Sequence, residues 1–193
     1  MYYSTEYIFD GGDGPYSETD TAQPISAYGL SKLEGERAIL ESDPQALVLR
    51  TTVVYGPEGE QKNFAYQLAA RLGAGERMRV PDDQVSTPTY NRDLAETSVC
   101  LVEAGAAGVF HVTGTERLNR FEFAQRFARA AGLDESLLDP VPTSELGQRA
   151  RRPLTAGLKI DKLLDTLPGL RMRTVEEAIS HWLRHPRGKP WPH

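Results

Sequence analysis

The chain has 193 residues, 39% apolar and 25% charged, with a formal net charge of −5. That length suits one domain, or one domain with a lobe, of ordinary water-compatible composition. The acidic balance argues against a nucleic-acid or anionic-membrane partner, and no apolar run approaches the roughly 20 residues of a membrane span. A lone cysteine, Cys100, cannot close an internal disulfide, so nothing points to an oxidising compartment. Its neighbours "TSVCLVEA" predict a buried thiol on an apolar helix face. "MYYSTEYIFD" lacks the basic start of a secretory signal, and the expected location is the cytoplasm.

In chain order, "YYSTEYIF" reads as a strand, rich in aromatic and β-branched residues. "DGGDGPYSETDTAQP" follows as a long loop, dense in Gly, Asp and Pro. From Ser26 the pattern is helical: Leu30, Leu33 and Arg37 share one stripe, and Tyr28, Lys32 and Gly35 another. "ALVLRTTVVYG" predicts a second strand, apolar on both faces as in a buried parallel sheet. "NFAYQLAARLGAG" is an amphipathic helix closed by glycine. "NRDLAETSVCLVEAG" predicts a helix, "GVFHVTG" a third strand, and "RFEFAQRFARAAG" another helix with Phe123 as a core candidate. "TVEEAISHWLRH" is the last helix, capped by Thr174 with Glu177 three residues on, and Trp182 belongs to its core face. The proline-rich tail "HPRGKPWPH" is expected to be loosely ordered. This order predicts an α/β fold with a parallel sheet and additions.

The chemistry concentrates in "YGLSK", residues 28–32. A phenol of ordinary pKa near 10 is a poor acid at neutral pH, and a lysine one helical turn away favours its phenolate. Four residues of α-helix put Tyr28 and Lys32 on one face, about 6 Å apart at the backbone. Ser4 and Thr5 end the preceding strand, and ligands of open α/β sheets bind at that end. His181 and His185 have the spacing of a metal-ligand pair, but no third ligand or intervening glutamate accompanies them, so helix-terminal charges account for them better. His111 reads as a hydrogen-bonded sheet histidine.

"YYSTEYIFDGGDGPYSETDTAQPISAYGLSKLEGE" resembles the "STDYVFDG…PY.E.D…P…YG.SK..GE" segment of the extended short-chain dehydrogenase/reductases, most closely their dTDP-4-dehydrorhamnose reductase branch. The resemblance continues, in family order, through "LRTTVVYG", "NFAYQL", "DDQVSTPTYNRDLA", "GVFHVTG" and "RARRPLTAGLKIDKL". It implies an enzyme that reduces a nucleotide-linked 4-ketosugar with NADPH or NADH. Tyr28 would donate the proton, Lys32 would lower its pKa and hold the nicotinamide ribose, and Thr5 would supply the hydroxyl that completes the catalytic triad. Glu6 and Val53 would line the sugar subsite, and Arg151 or Arg152 would sit near the diphosphate. It also implies a division into a Rossmann-type remainder, 1–57 with 90–114, and a smaller α/β substrate-binding lobe, 58–89 with 115–193.

Two departures bear on the sugar. Glu6 stands where the pattern carries Asp, and Val53 where the rhamnose-forming reductases carry a tryptophan. The strand–"GxxGxxG"–helix element that opens the family fold is absent; "GGDG", "GAG" and "GAAG" have the wrong spacing and context and read as turns. The implied dinucleotide-binding half therefore lies outside this chain, which is expected to have negligible reductase activity alone. It would be a fragment, a natural truncation used for binding, or a chain completed by another. Pairing with a second copy is a further expectation, with Gly35 allowing close helix approach. A non-catalytic subunit of the same fold, like the regulatory β subunit of methionine adenosyltransferase, is the alternative.

Overall fold

The computed structural model describes residues 1–185; apart from His185, the tail expected to be loosely ordered lies outside them. The first strand, β1 (Tyr2–Thr5), stops sooner than the sequence suggests. Thr5 caps a 3₁₀ turn at Glu6–Ile8, its side chain accepting from the Tyr7 N–H, and this turns the backbone out of the sheet. After the long loop comes α1 (Ala27–Ser42), then β2 (Leu47–Thr51).

The predicted single strand "ALVLRTTVVYG" is broken after Thr51. Val53 has φ +39°, a conformation a β-branched residue adopts only under strain, and β3 (Val54–Tyr55) follows it. Then come α2 (Phe64–Gly73), β4 (Met78–Pro81), β5 (Val85–Ser86), β6 (Thr89–Tyr90) and α3 (Asn91–Glu103). The rest of the chain forms β7 (Gly108–His111), β8 (Leu118–Asn119), α4 (Arg120–Ala131), β9 (Leu138–Val141), α5 (Asp161–Thr166) and α6 (Val175–Arg184).

The fold is mixed α/β with parallel strands. β1, β2 and β7 form one parallel sheet in that order, with Thr5 opposite Thr51 and Arg50 opposite His111. Alternation sends Leu47, Leu49 and Phe110 to one face, where they pack with Leu94 and Leu101 of α3, Leu163 of α5 and Met172. The other face carries α1, and there Arg50 and Glu36 form a buried ion pair at 2.8 Å. His111 is also buried on this sheet, Nδ1 3.1 Å from the Lys159 carbonyl and Nε2 3.5 Å from Arg50 Nη1. Gly35 serves the same packing: a Cβ there would meet the Tyr2 hydroxyl at 2.4 Å. The close approach it permits is to its own strand.

A second core joins α2, α4 and α6 over the parallel pair β4–β9. Trp182 and Phe123 are buried in it as expected, with Trp182 edge-on to Tyr66 at 5.0 Å. Asn119 and Thr174 cap α4 and α6 through full capping boxes, and Gly132 ends α4 at φ +70°. Two more short pairs, β3–β6 and β5–β8, lie between the sheet and this core in sequence.

Cys100 departs from expectation: it is exposed. The inward stripe of α3 is Asp93, Leu94, Thr97, Ser98 and Leu101, while Val99 and Val102 face outward, each 56% exposed.

Candidate active site

The site is built where α1 meets the end of β1. Ser26 caps the helix, its Oγ accepting from the Gly29 N–H at 3.1 Å. Gly29 lies directly on the 3₁₀ turn; a Cβ there would stand 2.0 Å from the Tyr7 carbonyl oxygen. With no side chain in the way, the first turn of α1 settles on that turn. The Tyr28 ring then stands edge-on to the Tyr7 ring, centroids 5.7 Å apart, and is 53% exposed. Thr5 Oγ1 accepts from the Tyr7 N–H at 3.3 Å, which leaves its hydroxyl hydrogen to donate. One helical turn beyond Tyr28, Lys32 Nζ donates to the Tyr3 carbonyl at 2.7 Å and lies 4.6 Å from the Tyr2 ring centroid. Thr5, Tyr28 and Lys32 are thus each tied to residues 2–7.

Beside this constellation opens a cleft of about 360 Å³, part of it open to solvent, lined by Glu6, Tyr7, Val53, Ser86, Asn119 and Arg120 among others. Strained Val53 belongs to its wall, and such strain, about 1–3 kcal/mol, collects at functional sites. Glu6 lies at its base with its carboxylate already committed. Ser86 Oγ bonds to both its oxygens at 2.8 and 2.9 Å, Thr52 Oγ1 donates to one, and the Gly157 N–H reaches the other at 3.1 Å. Burial pushes this carboxyl above the usual range, against the pull of the hydroxyl and amide donors. Glu6 therefore braces three other chain segments beneath the cleft.

The two arginines singled out in the sequence part company. Arg152 turns inward, Nη1 donating to the Tyr7 hydroxyl at 2.7 Å, its Nε buried with no hydrogen-bond partner among the described residues. Arg151 is exposed along a broad depression with Asp10, Gly11 and Gly12. Tyr7, Ser86, Asn119 and Arg120 carried no role in the sequence reading. A sequence signal was available for one of them: Arg120 puts a cation in the first turn of a helix, against the helix dipole.

Donor chemistry suits a nicotinamide ribose. Lys32 keeps two N–H donors beyond Tyr3, the Tyr28 phenol is open, and Ser4 Oγ is buried with no partner among the described residues. His181 Nδ1 lies 3.0 Å from the Tyr90 hydroxyl and its ring stacks on His185 at 4.5 Å. No group of three or more metal-ligating side chains occurs among the described residues.

Residues 1–187 match the model of the RmlD substrate binding domain. A dTDP-4-dehydrorhamnose reductase of Mycobacterium tuberculosis is 38% identical over 159 residues, covering 79% of this chain and 52% of its own length. Methionine adenosyltransferase 2 subunit beta of Danio rerio is 36% identical over 172 residues, covering 84% of this chain and 53% of its own. Among solved structures, dTDP-4-dehydrorhamnose reductase from Bacillus anthracis in complex with NADP superimposes with a TM-score of 0.86 at 32% identity. That match covers 95% of this chain and 64% of the other. The chain thus spans between about half and two thirds of these relatives. By a family match that runs over nearly its whole length, the chain belongs to the RmlD substrate-binding domain family.

Proposed function

We propose that this chain is the substrate-binding and proton-donating part of a reductase of nucleotide-linked 4-ketosugars, of the kind that makes dTDP-rhamnose. The observation that carries the reading is the seating of Tyr28 and Lys32 on the Thr5 turn beside a cleft. When bound, NADPH or NADH supplies the hydride. Thr5 donates a hydrogen bond to the substrate carbonyl and orients it. Tyr28 delivers its phenolic proton to that oxygen as negative charge develops there. Lys32 stabilises the phenolate left behind and holds the ribose with its remaining donors. Val53 and Tyr7 shape the sugar subsite, and Arg152 faces the diphosphate with a fork suited to phosphate oxygens.

The similarity to the methionine adenosyltransferase β subunit favours one second reading, a non-catalytic subunit of the same fold. One experiment separates the two. NADPH-dependent reduction of dTDP-4-dehydrorhamnose is measured for this chain alone, for the protein joining it to a dinucleotide-binding half, and for that protein with Tyr28→Phe. The catalytic reading expects turnover in the joined protein only, lost with Tyr28→Phe. A joined protein that binds both ligands without turnover supports the subunit reading.

A further inference from the structure

Arg120, like strained Val53, is a residue of the cleft that breaks a local rule. Its cation sits in the first turn of α4, where the helix dipole disfavours it. Its backbone N–H is used, donating to the Gln84 carbonyl at 2.9 Å. Its guanidinium forms no ion pair or hydrogen bond among the described residues and lies over the Phe64 ring at 4.7 Å. Four arginines elsewhere in the fold do have carboxylate partners: Arg50 has Glu36, Arg79 has Glu145, Arg126 has Glu116 and Glu176, and Arg173 has Asp93. Local conflicts of this kind cluster at functional positions.

A second cation stands nearby. Arg120 and Arg152 both line an open groove, with the amides of Gln84 and Gln148 among its other walls. Gln84 and Arg120 also line the sugar cleft, so groove and cleft adjoin at these two residues. Arg152 already leans on Tyr7 and has a buried Nε with no partner. Burial lowers the pKa of Arg120 against the opposing pull of Tyr7 and Glu6, and the neighbouring Arg152 charge adds to the lowering. Glu6 offsets part of the Arg120 charge through space, but its oxygens are taken by Thr52, Ser86 and Gly157. Neither guanidinium is therefore bonded to a carboxylate among the described residues, and both keep donors for an anion with several oxygens.

We propose that Arg120 is the second arm, with Arg152, of a clamp for the diphosphate of the substrate, and so fixes how deep the sugar enters the cleft. This rests on the nucleotide-sugar reading above and adds a residue that sequence resemblance does not assign. Each charged hydrogen bond lost from such a clamp weakens binding by roughly ten- to a hundredfold.

The test is titration calorimetry on this chain with inorganic pyrophosphate, thymidine 5′-diphosphate and thymidine as probes. Wild type is compared with Arg120→Met, Arg120→Lys and Arg152→Met. Methionine keeps the stem over Phe64, and unfolding curves check each fold. The clamp predicts that Arg120→Met and Arg152→Met both lose tenfold or more for the two phosphate probes, with a weaker salt dependence. Arg120→Lys recovers part, and thymidine is indifferent to all three. Loss of pyrophosphate binding on Arg120→Met supports the clamp even if the thymidine diphosphate binds no better than pyrophosphate. If Arg152→Met weakens thymidine diphosphate binding and Arg120→Met does not, the clamp is overturned and the nucleotide-sugar reading stands. If wild type binds neither phosphate probe, both fall together.

Discussion

Gly29→Ala loads the contact that seats Tyr28. The added methyl would lie 2.0 Å from the Tyr7 carbonyl oxygen and 2.9 Å from its carbon, both backbone atoms that cannot rotate away. Reaching ordinary contact near 3.4 Å requires the first turn of α1 to rise by about 1.4 Å from the 3₁₀ turn. Overpacking of this kind costs about 1–3 kcal/mol. Alanine returns about 1 kcal/mol in helix propensity, so the net loss is about 0–2 kcal/mol. The same rise carries Tyr28 away from Thr5, and a misplacement near 1 Å costs about a hundredfold in rate. Denaturant midpoints of the chain and kcat/KM of the joined protein read the two effects. Gly73→Ala is the control, because no atom lies within 4 Å of its Cβ position; it leaves stability equal or slightly raised. A Gly29→Ala protein as stable and as active as wild type would refute this account of how Tyr28 is placed.

Two further predictions concern the sheet. Burial first, and the Arg50 charge second, lower His111 from its usual 6.5 to about 3. Folded His111 therefore stays neutral while the unfolded residue protonates below about pH 6.5. Its contribution is whole above that pH and is lost as pH falls toward 3, at up to ~1.4 kcal/mol per unit. His111→Gln flattens this acid limb, and equally steep curves for both proteins would contradict the assignment. For the Arg50–Glu36 pair, bonded at 3.0 and 2.8 Å, Arg50→Met strands a buried carboxylate and costs about 3–5 kcal/mol. Adding Glu36→Leu recovers most of it in denaturant unfolding; purely additive losses would rule out the coupling.

The helices were legible because their periodicity and caps are local: Thr174 with Glu177 marks α6, and Ser26 followed by "YGLSK" marks the start of α1. What resisted reading depends on tertiary context. β1 ends at Thr5 because one side chain captures the Tyr7 amide, a choice invisible in a run of β-formers. The break at Val53 is a strained dihedral within "TTVVYG", and no glycine announces it. Cys100 was misjudged because Val99 and Val102 gave its neighbourhood an apolar look, although both face outward. Glu6 reads as part of the sugar subsite in sequence and lines the cleft, while its hydrogen bonds to Thr52, Ser86 and Gly157, partners 46 to 151 residues away, have no local cue. Return of Ile160, Leu163 and Met172 to the sheet core likewise has no local cue.

The central claim is that Tyr28 gives the substrate its proton. Its most direct test is the turnover of Tyr28→Phe in the protein that joins this chain to a dinucleotide-binding half. General acid catalysis predicts a fall in kcat of about 10²–10⁴-fold with KM for the sugar nucleotide nearly unchanged. A Tyr28→Phe enzyme that keeps its wild-type kcat would contradict it.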